Sequence, residues 1–79
     1  MISRYVQTAL DRARYRQLDD GSFCATVPGL RGVIATAGRL ESCRTQLAEV
    51  IEEWVLMRVA LGLTVPPMGR QRIIIRKAS

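Results

Sequence analysis

Residues 20–33 read Asp20-Gly21-Ser22-Phe23-Cys24-Ala25-Thr26-Val27-Pro28-Gly29-Leu30-Arg31-Gly32-Val33. In this stretch, one extended run lies between two turn signals. The Asp-Gly pair at its start is typical of a tight hairpin, because glycine accepts a positive φ without steric cost. The Pro-Gly pair and the second glycine predict another turn at 28–32, since proline cannot donate to a β ladder. The stretch therefore predicts the middle of a three-stranded meander.

Three short strands follow from these turns, and they span residues 15–18, 22–27 and 33–37. Side chains alternate along a strand, so Phe23, Ala25 and Val27 share one face of the second strand, while Cys24 and Thr26 share the other. Neither face carries a charge in this strand. We therefore expect both faces to be covered.

Two helices flank the meander. Residues 2–13 place their apolar side chains on one helical stripe, which comprises Ile2, Tyr5, Val6, Ala9, Leu10 and Ala13. Residues 40–61 give the stronger helical signal, with apolar residues at steps of three and four: Leu40, Cys43, Leu47, Val50, Ile51, Trp54, Met57 and Leu61. Gly62 and the prolines after it end this helix. Arg39 has no side-chain acceptor for the first free N–H groups, so a later helix start with Ser42 as a poorer cap is an alternative.

A fourth strand is predicted at residues 70–77, where Ile73-Ile74-Ile75 lies between basic residues. The fold class is therefore α+β, in the order N-terminal helix, three-stranded meander, long helix and fourth strand, arranged in two layers. Residues 1–79 are predicted to form a single domain, with 2–13 as an N-terminal helical extension and 14–77 as the core.

Catalytic chemistry has few carriers in this chain. It contains no histidine, which excludes imidazole bases and most zinc sites, and its two cysteines lack the C-x-x-C spacing of metal ligands. The glycines match no phosphate-binding loop. We therefore expect no catalytic, metal-binding or cofactor-binding residues and no enzyme. The N-terminus lacks a secretory core and no apolar run is long enough to span a membrane, which predicts a cytoplasmic protein.

The chain is basic, with 12 Lys and Arg against 7 Asp and Glu, a net charge of +5 and a pI near 10.2. Residues 70–77 hold three arginines and Lys77 without an acidic residue. One hypothesis is therefore a nucleic-acid-binding protein that uses this C-terminal strand. No aromatic residue is interleaved with these arginines and no recognition-helix pattern is present, which favours solvated strand edges or an acidic protein partner.

The order of motifs resembles the HicB-like antitoxin family, a UPF0150-type small domain. The resemblance covers residues 14–77 and rests on the glycine-containing hairpin, the strand that ends in Val27-Pro28, the Leu30-x-Gly32 turn, and the helix that opens with Leu40-Glu41-Ser42-Cys43. The resemblance implies a partial RNase H-like domain without the carboxylates of that enzyme. It also implies binding and neutralisation of a HicA-like toxin, a small basic RNase that cleaves mRNA, or an orphan relative of such antitoxins that retains the fold.

The resemblance makes the turn after the second strand the candidate partner-binding site, with Pro28, Leu30, Arg31 and Gly32 as its residues. The alternative interpretation of these residues is structural, because proline stops a strand and glycine permits a tight re-entry. The acidic side chains of the long helix offer local complementarity to a basic toxin.

Residues 54–61 are apolar around most of the helix circumference, and one sheet cannot cover all sides of a helix. We therefore expect a homo-oligomer, a dimer or a tetramer, in which this surplus apolar surface is buried between chains. The predicted interface residues are Trp54, Val55, Met57 and Val59.

Overall fold

The structure is a computed structural model that describes the backbone of residues 2–68 and the side chains of residues 4–68. Its elements in chain order are α1 Ile2–Arg12, β1 Arg14–Gln17, β2 Phe23–Thr26, β3 Ile34–Ala37 and α2 Leu40–Ala60. The strands form an antiparallel sheet in the order β1-β2-β3. The α+β class, the N-terminal helix, the meander and the long helix are thus confirmed. The predicted fourth strand at 70–77 lies outside the described residues.

The turn between β1 and β2 is built as its Asp-Gly pair predicts. The Gly21 N–H donates to the carbonyl of Leu18 at 2.9 Å, and Gly21 has a φ of 88°, which a side chain rarely tolerates. Asp20 Oδ1 accepts hydrogen bonds from the Ser22 hydroxyl at 2.5 Å and from the Ser22 N–H at 2.9 Å. These two hydrogen bonds hold the pKa of the Asp20 carboxyl below its ordinary value, and the bond from the hydroxyl has the larger effect. The turn therefore fixes the register of the hairpin.

The inward face of the sheet combines two aromatic side chains with three alanines. Its residues follow from the strand register and are Tyr15, Gln17, Phe23, Ala25, Ala35 and Ala37, of which Gln17 is exposed. The alanines let α2 approach the sheet closely, so that the single proton of the Cys43 thiol is shared between the carbonyls of Ala35 and Phe23, which lie 3.6 and 3.7 Å from the sulfur. Both helices and this face contribute to a common hydrophobic core.

The opposite face of the sheet, here called the outer face, holds Arg14, Arg16, Cys24, Thr26, Ile34 and Thr36. The expectation that Cys24 and Thr26 would be covered is wrong within the described residues, because Thr26 is exposed and Cys24 is only half-buried. The two arginines of β1 lie next to them in the register and keep this face hydrated.

The helix α2 begins at Leu40, so the alternative of a later start with Ser42 as the cap is wrong. Arg39 is its N-cap residue, with an extended backbone and no hydrogen bond from its side chain to the helix. The Arg39 carbonyl accepts the Cys43 N–H at 2.9 Å. The helix starts here without a side-chain cap because packing of Cys43 and Leu47 in the core stabilises its first turns.

The predicted end of α2 at Gly62 is confirmed. Gly62 has a φ of 71°, and its N–H donates to the carbonyl of Val59 at 3.1 Å. The Leu63 N–H donates to the carbonyl of Arg58 at 2.8 Å. These two bonds form a Schellman motif, which requires a left-handed residue at the glycine position.

The buried stripe of α2 consists of Cys43, Leu47, Ile51 and Val55. Each step of four residues advances about 40° around the helix, so the stripe drifts along its length. Met57 and Leu61, which the three-and-four pattern placed on the same stripe, are consequently exposed.

The helix α1 packs against α2 and is tied to the chain that follows α2. Its buried side chains are Tyr5, Val6, Ala9 and Leu10. The Tyr5 hydroxyl donates to the carbonyl of Pro66 at 2.5 Å, and the flanking Val65 and Met68 are buried in the same core. Residues 63–68 therefore return over α1 and help to cover α2.

Candidate interaction surfaces

The loop between β2 and β3 consists of two successive β-turns that share Leu30. The Leu30 N–H donates to the carbonyl of Val27 at 3.1 Å and closes the first turn. The Val33 N–H donates to the carbonyl of Leu30 at 3.4 Å and closes the second turn. Gly29 and Gly32 occupy the third positions of these turns with φ values of 91° and 82°. A type II turn has this positive φ and favours proline at its second position, where Pro28 lies. The local sequence thus determines the path of the loop.

The four loop residues predicted to contact a partner fall into two groups. Pro28, Arg31 and Gly32 are exposed, whereas Leu30 is only 3% exposed. Leu30 belongs to the hydrophobic core and anchors both turns to it. A partner that binds at this loop can therefore contact Pro28, Arg31 and Gly32. Leu30 packs in the core and holds these three residues in position.

The four residues predicted to join subunits also differ in exposure. Val55 is fully buried within the subunit, Trp54 and Val59 are half-buried, and Met57 is 61% exposed. Val55 is therefore part of the subunit core, because α1 and residues 63–68 cover a second side of α2. The sequence pattern located the surplus apolar surface but not the intrachain segments that cover part of it.

Arg58 links Trp54 to the chain that follows α2. The Arg58 guanidinium carbon lies 5.0 Å from the centroid of the Trp54 ring, and Arg58 Nε donates to the carbonyl of Thr64 at 2.6 Å. A cation–π contact of this exposed kind contributes about 0.5–1 kcal/mol. The pair therefore fixes the half-buried indole and the turn after the helix together.

Apolar side chains remain exposed at the C-terminal end of α2, and we call Met57, Leu61 and Leu63 the apolar end. Met57 and Leu61 lie four residues apart on one flank of the helix and are 61% and 67% exposed. Contiguous exposed apolar side chains on a small domain are typical of an interaction surface.

The outward face of α2 is acidic, and we call Glu49, Glu52 and Glu53 the acidic face. These three exposed side chains line one hollow together with Leu56. The basic residues of α2 are engaged on other sides of the helix: Arg44 pairs with Asp11 at 3.6 Å, and Arg58 covers Trp54. The face is therefore negative although the chain as a whole carries +5.

The outer face of the sheet was not identified from the sequence. Arg14 and Arg16 alternate along β1 and thus lie on the same side as Cys24 and Thr26, with which they line a shallow hollow. In the sequence, the alternation of Arg14 and Arg16 indicates that both arginines lie on one face of β1. The residues beside them on β2 can be identified only from the register of the two strands. The molecule consequently exposes a basic sheet surface on one side and an acidic helix surface on the other.

Within residues 2–68, no group of three metal-ligating side chains lies close enough together to hold an ion. Both cysteines are free, and burial raises the pKa of the Cys43 thiol, with a smaller contribution from Cys24. Cys43 is therefore a neutral donor to the sheet backbone rather than a nucleophile. In the same part of the chain, neither helix has the length and apolar character required to span a bilayer.

Comparison with known proteins places this fold in a family. A family model described as UPF0150-like matches residues 4–66. The crystal structure of TTHA0281 from Thermus thermophilus is similar to this chain, with a TM-score of 0.88 and 35% sequence identity over 96% of this chain and 95% of that chain. No curated protein matches the chain. The match over residues 4–66 spans the loop, the acidic face and the apolar end, and the chain belongs to the UPF0150-like family.

Proposed function

We propose that this chain is a non-enzymatic antitoxin of the HicB-like type, which acts in the cytoplasm by binding and neutralising a small basic HicA-like RNase that cleaves mRNA. The observation that carries the proposal is the acidic face of α2. It is a concentrated negative surface on a basic protein, built on a rigid helix that is anchored by its opposite side.

Charge complementarity supports a basic protein as the occupant of this face. Glu49, Glu52 and Glu53 occupy little more than one helical turn, and the basic residues of the same helix are engaged elsewhere. Opposite charges across an interface accelerate association and fix the orientation of the partners, whereas like charges reject wrong partners. An RNase that binds the phosphates of mRNA needs a basic surface, which fits this face and is masked when bound to it.

Apolar contact next to the carboxylates adds affinity that charge alone does not supply. Leu56 lies in the same hollow as the three glutamates and is 49% exposed. Interfaces commonly surround such an apolar centre with a charged rim. The exposed loop residues Pro28, Arg31 and Gly32 form a second candidate contact, at the end of the sheet.

Self-association is the second part of the proposal, and it uses the apolar end. Met57 lies four residues after Glu53 and Leu61 four residues after Met57, so the apolar end adjoins the acidic face along the helix. Covering each of these large side chains contributes about 1.5–3 kcal/mol, a considerable share of the stability of a domain of this size.

The test of the toxin-binding part is calorimetric titration with a purified HicA-like RNase. We expect tight binding by the wild-type chain and at least tenfold weaker binding by Glu49→Lys/Glu52→Lys, because reversed charges repel a basic partner. The control is Asp19→Lys, a charge reversal of half this size in the exposed hairpin turn, which should leave the affinity unchanged. Equal binding by all three proteins contradicts the assignment of the acidic face.

The alternative predicted from the sequence, nucleic-acid binding through the basic strand at 70–77, concerns residues outside those that the structure describes. It stays a prediction.

A further inference from the structure

The outer face of the sheet presents an unexpected combination of groups. Across the sheet, Arg14 of β1 lies opposite Thr26 of β2, which lies opposite Ile34 of β3. In the same way, Arg16 lies opposite Cys24, which lies opposite Thr36. All except the half-buried Cys24 are exposed. The face thus contains two guanidinium groups and two hydroxyl groups, with no carboxylate among its six residues.

We propose that this outer face binds the sugar-phosphate backbone of single-stranded RNA. The proposal goes beyond the toxin-binding function, since it concerns the opposite side of the molecule and a different class of ligand.

The spacing of the cationic groups fits an extended nucleic-acid strand. Alternate residues on a strand are separated by about 6.6 Å, so Arg14 and Arg16 present two guanidinium groups at a distance comparable to that of successive phosphates. Arginine donates several hydrogen bonds in a planar arrangement that matches phosphate oxygens, and threonine hydroxyls are common additional donors to phosphate. The shallow hollow lined by Arg14, Arg16, Cys24 and Thr26 lies between these donors.

The shape of the surface favours a single strand over a duplex. A three-stranded sheet offers a pleated surface along which a flexible strand can lie, whereas the major groove of DNA is usually read by an inserted helix or a two-stranded ribbon. The six side chains include no aromatic residue on which bases could stack. Binding at this face is therefore sequence-independent and modest in affinity, and it weakens as the salt concentration rises.

The experiment measures binding of oligouridine RNA as a function of salt concentration, using fluorescence anisotropy. For single strands, the slope of log K against log salt concentration is about 0.7 for each phosphate contact. The variant Arg14→Thr/Arg16→Thr keeps residues that favour strands and removes both contacts, so we expect the slope to fall by about 1.4. The matched control is Arg4→Ala/Arg39→Ala, which removes the same charge from α1 and the start of α2 and should keep most of the slope.

Two further measurements keep the result decisive. Amide chemical-shift mapping on the wild-type chain should place the RNA-induced changes on β1 and β2, which tests the surface even when a variant folds poorly. A variant Arg70→Gln/Arg72→Gln tests the C-terminal residues. The proposal is overturned if the salt slope falls as much in the control as in Arg14→Thr/Arg16→Thr, or if it falls in Arg70→Gln/Arg72→Gln instead. It is also overturned if polyglutamate displaces the RNA as effectively as unlabelled oligouridine does.

Discussion

Tyr5 connects the first helix to the far end of the chain, and its removal provides a quantitative test of the fold. The ring is completely buried, and its hydroxyl donates to the carbonyl of Pro66 at 2.5 Å across a sequence separation of 61 residues. The variant Tyr5→Phe keeps the ring and removes only this donor. A hydrogen bond of this kind contributes about 0.5–1.5 kcal/mol, and the carbonyl left without its donor raises the expected loss to about 1–2 kcal/mol. In a domain of this size, that loss lowers Tm by roughly 4–8 °C for each kcal/mol.

The same phenol makes stability depend on pH at the alkaline end. Burial raises the pKa of Tyr5 above its ordinary value of 10.0, and the charge of Arg58 opposes this rise in part. The folded state therefore retains the proton more tightly than the unfolded state does. The stabilising contribution is complete below pH 10 and is lost as the pH rises through the folded value. Burial also raises the pKa of the Cys43 thiol above its ordinary value of 9.0. The wild-type chain therefore begins to lose stability above pH 9.

The assay is urea denaturation followed by circular dichroism, at pH 7 and at intervals between pH 9 and 11. Tyr5→Phe should be less stable at pH 7 and should lose less stability than the wild type between pH 10 and 11. The control is Tyr15→Phe, since the Tyr15 hydroxyl receives only a 3.4 Å bond from Arg44 at an exposed site. If Tyr5→Phe matches the wild type in both stability and pH dependence, the tether between α1 and Pro66 does not exist in solution.

Three other predictions follow from the loop, the helix start and the apolar end. Arg39→Ser should raise the free energy of unfolding, measured by urea denaturation, by about 1 kcal/mol. The backbone at this N-cap is already extended, and the serine hydroxyl supplies the missing acceptor. A decrease in the free energy of unfolding would argue against a helix that starts at Leu40. Leu30→Ala should cost about 2–5 kcal/mol, whereas Arg31→Ala should change stability by less than about 0.5 kcal/mol in the same assay; equal losses would contradict the placement of Leu30 in the core. Leu61→Glu should shift sedimentation of the chain towards the monomer while Leu40→Glu, at the other end of α2, should not; a wild-type chain that is monomeric at all concentrations refutes the self-association.

Local sequence chemistry was sufficient to predict the turns and helix ends. Asp20-Gly21, Pro28-Gly29 and Gly62 each occupy a position where the backbone requires a positive φ or a fixed proline, so the residue type identifies the turn directly. The helices α1 and α2 differ from their predicted bounds by one residue each, because their apolar periodicity extends over several turns.

Exposure was harder to predict because it depends on segments distant in sequence. Leu30 and Val55 were expected at surfaces, but packing brings them into the core, where neighbouring elements cover them. Cys24 and Thr26 were expected to be covered, but the arginines that adjoin them belong to another strand. The contact between Tyr5 and Pro66 had no local signal, since a tyrosine in an amphipathic stripe does not indicate which carbonyl its hydroxyl will reach.

The most direct test of the account is an mRNA cleavage assay with a purified HicA-like RNase. A stoichiometric amount of the wild-type chain should stop cleavage, and the same amount of Glu49→Lys/Glu52→Lys should leave most of the cleavage activity in place. Cleavage that proceeds undiminished with excess wild-type chain, or RNA degraded by this chain alone, would contradict the view that it is a non-enzymatic inhibitor acting through the acidic face of α2.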